Sequence, residues 1–164
     1  MNEDLKKARQ ILEDLTPLKT DCGRCCGAAC CRDAEGEVNG MLLFPGEEDL
    51  YEDLDGYAMT PVPQGTLLVC GGNCIRQERP LSCRIFPLLP VIRDGQVKTV
   101  TDQRAKGICP LARQGKSALD PEFICRVQEV GELLAKDDIQ RRFLEELTAE
   151  QDELRELRKK LMYK

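Results

Sequence analysis

Five cysteines, Cys22, Cys25, Cys26, Cys30 and Cys31, fall within ten consecutive residues of a chain that holds ten cysteines and no histidine. Thiols at this density end as disulfides, as metal thiolates or as redox-active groups. The N-terminus, Met1-Asn2-Glu3-Asp4-Leu5-Lys6-Lys7, has no apolar export segment behind a basic start, which predicts a cytoplasmic protein. Cytosolic thiols are kept reduced, so the cluster reads as a metal or redox site rather than a cross-link framework.

The spacings support that reading. Cys22-x-x-Cys25, Cys26-x-x-x-Cys30 and Cys70-x-x-x-Cys74 each let a tight turn aim two sulfurs at one point, as zinc and iron-sulfur clusters require. Cys83 and Cys109 add two more donors. The vicinal pairs Cys25-Cys26 and Cys30-Cys31 are not expected to face one way, so each pair should serve two sites or leave one sulfur out. A bacterial ferredoxin run is disfavoured, because its third cysteine would fall at Ala28. Arg24, Arg32, Arg76, Arg79 and Arg84 lie within a few residues of a thiol. A four-thiolate zinc site is net negative, and Arg79 and Arg84 are the foremost candidates to offset that charge.

The stretch Cys70-Gly-Gly-Asn-Cys74, followed by Arg79-Pro80-x-x-Cys83-Arg84-x-Phe86-Pro87 and preceded by the Cys22 to Cys31 knot, resembles the YkgJ-type CxxCxxCC cysteine-cluster family, described as a zinc- or iron-chelating domain. The resemblance runs from Cys22 to about Cys109. It implies metal ligation by Cys22, Cys26, Cys30, Cys31, Cys70, Cys74, Cys83 and Cys109, enough for two four-thiolate sites. In this chain four residues, not two, separate Cys25 from the Cys30-Cys31 pair, which leaves Cys25 or Cys26 as the ligand; Cys26 completes the count of eight. Zinc is the preferred metal, because closed structural sites suit a chain with no visible catalytic partner. The alternative is a four-iron, four-sulfur ([4Fe-4S]) cluster with redox or methyltransferase-type activity, since larger relatives in the family include a flagellin lysine methylase, longer than this chain.

Other chemistry finds little support in the sequence. Gly71 and Gly72 lack the lysine and hydroxyl of a phosphate loop and read as the turn of a metal knuckle. Glu47, Glu48, Asp49, Glu52, Asp53 and Asp55 read as a solvated helix face. The formal net charge of −5 argues against nucleic acid as a partner. No apolar run approaches the roughly 20 residues of a membrane span.

The elements that must position the cysteines follow from pattern. Residues 2–15 carry one apolar stripe, Leu5, Ala8, Leu12 and Leu15, on a helix that Pro17 ends. Residues 40–46 predict a short strand and a turn. Pro61 and Pro63 restrict 60–69 to an edge or extended segment. Residues 88–101 predict a β-hairpin about Asp94-Gly95. Asp120-Pro121-Glu122 starts a helix with Phe123, Val127, Val130 and Leu134 on one stripe. A break at 136–138 precedes a second helix with Ile139, Phe143 and Leu147 inward, and Leu154, Leu157 and Leu161 beyond. Thr148-Ala149-Glu150-Gln151 matches a capping box, either opening a third helix or idle within a continuous one. Cys125 is expected as a small buried residue on its helix. Aromatic content of 4% with no tryptophan limits the core, and bound metal is expected to help hold it. The expected architecture is α+β: one metal-stapled, cysteine-rich domain over 1–164, with its metal core at about 20–112 and a helical segment at about 120–164. The C-terminal helices pack alongside, or offer a face to a protein partner or a second copy.

Overall fold

The computed structural model describes residues 1–31, 40–72 and 75–162; the expectations for Arg32 and Cys74 lie outside them. The architecture is α plus β, with two small antiparallel sheets among helices. Asn2 caps α1 (Glu3–Ile11), its Oδ1 accepting from the Leu5 amide at 2.8 Å. The helix stops short of Leu15 because the Arg76 guanidinium donates to the Glu13 and Leu15 carbonyls, at 2.6 and 2.7 Å, and holds that stretch outside a helical ladder. After α2 (Cys22–Cys26) and a 3-10 turn at Ala29–Cys31 come β1 (Gly40–Leu42), β2 (Tyr57–Val62) and β3 (Gly65–Cys70), paired in the order β1-β3-β2. Pro61 sits on β2, an edge strand. β3 is the central strand, contrary to the edge expected for 60–69: Pro63 lies in the connection between Val62 and its partner Gly65, not in the ladder.

The second half is built on α3 (Leu81–Ile85) and the hairpin of β4 (Leu88–Arg93) and β5 (Gln96–Thr101). Asp94 and Gly95, at φ 54° and 72°, make the expected turn. Then come α4 (Ala105–Ile108), α5 (Pro110–Gln114), α6 (Pro121–Leu134) and α7 (Asp138–Met162). Asp120 caps α6 by accepting from the Glu122 amide at 2.9 Å. Phe123, Val127, Val130 and Leu134 are buried and pack with Leu5, Leu12, Phe44, Leu88 and Val91 in one apolar core. The hairpin can lie this close to α6 because position 131 is glycine: a Cβ there would sit 2.6 Å from Pro90 Cβ and 2.8 Å from Val97 Cγ1. Polar side chains on the helices satisfy the hairpin backbone. Gln128 accepts from the Thr99 amide and donates to the Val97 carbonyl, both at 2.9 Å, and Thr148 Oγ1 accepts from the Ile92 amide at 2.9 Å.

Thr148 therefore works mid-helix, and the capping box is idle within a continuous α7. Phe143 and Leu147 face inward as expected, but Ile139 is 65% exposed; Gln140 and Leu144 take the buried positions of that turn. Leu157 and Leu161 are exposed. Among the described residues no helix is long and apolar enough to cross a membrane.

Candidate metal centre

Asp21 begins the cysteine knot by accepting from the Gly23 amide through Oδ1, at 3.0 Å, which winds α2. On that short helix Cys22 and Cys26 stand one turn apart and half-buried, while Cys25 is exposed. Gly27 and Ala28, with φ of 62° and 55°, end the helix and turn the chain into Ala29–Cys31. The Cys30 and Cys31 sulfurs stand 3.9 Å apart. β3 delivers Cys70 at its last residue, and Gly72, at φ 75°, lays the backbone against the knot: a Cβ there would meet the Cys31 carbonyl oxygen at 2.5 Å. α3 carries Cys83, and Cys109 is buried just ahead of Pro110, the first residue of α5.

These segments enclose one cleft of about 330 Å³. Cys22, Cys26, Cys30, Cys31, Cys70, Cys83 and Cys109, seven of the eight expected ligands, line it, and so does Cys25. Its apolar walls include Leu68, Phe86 and Leu111. Both members of each vicinal pair are among the residues that line this cleft. A helix end followed at once by a 3-10 turn folds the knot around the space instead of past it. No disulfide links the described cysteines. Among the described residues no three cysteine, aspartate or glutamate side chains close on a single point at metal-holding distance. Cys125 is absent from the cleft wall, and it is exposed on α6, not buried as expected.

Burial, with the neighbouring Cys26 next, pushes the Cys22 thiol up to about 11. Within the Cys30–Cys31 pair the Cys30 thiol is pushed up, first by its contact with Cys31, and the Cys31 thiol is lowered to about 6 by that contact and by the Arg79 charge. The two thiols titrate as a pair, and either sulfur can be the donor to the other. The Arg79 guanidinium also favours the Cys22 thiolate. Arg84, which also lines the cleft, has a structural task besides. Its three nitrogens donate to the carbonyls of Arg79, Arg9 and Gln77, at 2.9, 2.9 and 2.7 Å, and pin the loop before α3 against α1.

The chain matches no protein-family model, no curated protein and no solved structure.

Beneath this loop lies a group that sequence reasoning misassigned. Glu47, expected on a solvated face, is fully buried. It pairs with the Arg9 guanidinium and accepts from the Leu81 and Phe44 amides at 2.9 and 3.1 Å. Burial pushes its carboxyl up, against the opposing pull of Arg9 and the two amides. Glu47 directly follows the apolar run ending in Phe44-Pro45-Gly46, which sets it apart from the exposed Glu52, Asp53 and Asp55. The residue types fit a thiophilic metal: soft sulfur donors, three arginines (Arg76, Arg79 and Arg84) and an apolar wall. Desolvation that holds Cys22 as a neutral thiol is a cost that a bound cation would remove.

Proposed function

We propose that this chain is a cytoplasmic metal-binding cysteine-cluster protein of the YkgJ type, holding thiolate-bound zinc in a structural or regulatory role. The observation that carries the reading is the gathering of Cys22, Cys26, Cys30, Cys31, Cys70, Cys83 and Cys109 from five separate segments around one cleft. Packing alone gives little reason to bring these donors together, because all of them but Cys109 stay half-buried or exposed and give up little apolar area. Cys74 completes the proposed set. Arg79 would offset the negative charge of the loaded site and favour the thiolates that a metal requires. When bound, zinc would cross-link the knot, the knuckle, α3 and the start of α5.

A second reading rests on the shape of the space. A cleft of about 330 Å³ with apolar walls is larger than one ion needs, and it suits an iron-sulfur cluster that supplies redox or methyl-transfer chemistry. Metal content and the visible spectrum of protein purified without oxygen separate the two. About two zinc per chain and no visible absorbance support the structural module. Iron with acid-labile sulfide and a reducible brown chromophore supports the cluster, and neither metal overturns both. Cys83→Ser or Cys109→Ser should lower the metal content.

A further inference from the structure

A second cleft, of about 420 Å³, opens on another side of α4 and α5, where they meet the hairpin and α7. Arg93 of β4, Lys106 of α4, Arg113 of α5 and Arg155 of α7 line it, together with Gln103 and Gln151. Four cations line one cleft in a protein whose formal net charge is −5. Among the described residues no carboxylate stands within ion-pair distance of Lys106, Arg113 or Arg155. Only Arg93 is paired, with Asp152, and its Nε is buried without a hydrogen-bond partner among the described residues.

The cleft is also partly preorganised. Arg113 donates through Nε and Nη2 to the carbonyls of Lys106 and Gly107, at 3.0 and 2.8 Å, which fixes its guanidinium plane. Gln151 is held by the Gln103 amide and by Asp102, at 2.8 and 3.0 Å. Like charges brought together in a concave space repel unless an anion joins them. Guanidinium forks match phosphate oxygens in pairs. The volume lies in the range of small-molecule sites. A long nucleic acid is disfavoured, because Asp152, Glu153 and Glu156 stand exposed on α7 beside Arg155 and would repel an extended polyanion.

We propose that this cleft binds a compact phosphorylated small molecule of about nucleotide size, with Lys106, Arg113 and Arg155 on its phosphates. Titration calorimetry of the full chain, as purified and at physiological ionic strength, with ATP, pyrophosphate and adenosine tests this. ATP and pyrophosphate should bind saturably at one per chain, and adenosine should not. Lys106→Met combined with Arg155→Met should weaken both ligands by about tenfold or more, and each single variant by less, since each removes a charge-assisted contact. Lys159→Met, farther along α7, should stay within about twofold, because its charge is screened at that salt. Both single variants keep the side-chain stem, so binding can be read even if the double variant folds poorly. Absence of saturable binding, binding unchanged in the variants, or adenosine binding as tightly as ATP overturns the proposal. Heat from phosphate extracting a metal would be the same in all variants and would count against it.

Discussion

The two ends of this molecule are held by different means. Around α6, α7 and the β4–β5 hairpin, side chains such as Phe123, Val127 and Leu144 are wholly buried, and polar side chains of the helices occupy the hairpin's backbone groups. Around the cysteine cleft, Cys22, Cys26, Cys31, Cys70 and Cys83 are half-buried, and Cys25 and Cys30 are exposed. The difference teaches that one continuous apolar core closes one end, whereas the other leaves its thiols around an open cleft with only the small clusters of Leu43, Tyr51 and Leu68 and of Ala105, Cys109 and Ala112 beside it among the described residues. Between them, Arg9, Glu47 and Arg84 tie α1 to the loop before α3 with buried charge and carbonyl contacts.

If the cleft holds the proposed metal, removing it should divide the two ends most sharply. Structural zinc contributes on the order of 10 kcal/mol in small domains. A chelator should therefore abolish amide-exchange protection around 22–31, 70–72 and 105–112, while α6 and the hairpin keep theirs. Equal loss at both ends would break the comparison. Next in size is Glu47→Leu, which strands the Arg9 charge in the interior and should cost about 3–5 kcal/mol in denaturant unfolding. A cost near zero would mean that the seam is solvated. Smaller, and opposite in sign to the usual helix rule, is Gly131→Ala. Alanine in a helix normally gains about 1 kcal/mol over glycine. Here the contacts with Pro90 and Val97 should turn that into a net loss of about 1–3 kcal/mol, with metal content unchanged. Smallest of all, Cys125→Ser, on an exposed site away from the cleft, should shift stability by no more than about 0.5 kcal/mol and leave metal stoichiometry intact.

Local chemistry was legible where a residue acts on its own backbone. Asp94-Gly95 announced its turn and Asp120-Pro121 its helix, because positive φ and an N-cap are short-range demands. Pro61 correctly marked an edge strand, but Pro63 misled, since a connection and an edge leave the same mark in sequence. The stripe on α7 slipped at Ile139, where Gln140 is drawn inward to donate to the Pro45 carbonyl at 2.7 Å, a contact 95 residues away. Cys125 was misread because its neighbours Phe123 and Val127 are core residues while it lies on the opposite side of α6. The candidate ligands could be named from spacing and resemblance, and seven of them line the cleft. Their common enclosure depends on β3 and α3 meeting the knot, which no local pattern encodes. The burial of Glu47 and the carbonyl contacts of Arg84 were hidden for the same reason: a charged side chain looks alike in sequence whether water or a buried partner awaits it.

The approach of Gly72 to Cys31 has a consequence for the range of sequences this protein can accept. Nothing lies within 4 Å of a Cβ built at Gly71, whereas at Gly72 the Cys31 carbonyl and a φ of 75° both refuse a side chain. In a library randomised at both codons and sorted for folded protein, position 71 should return many residues and position 72 glycine alone.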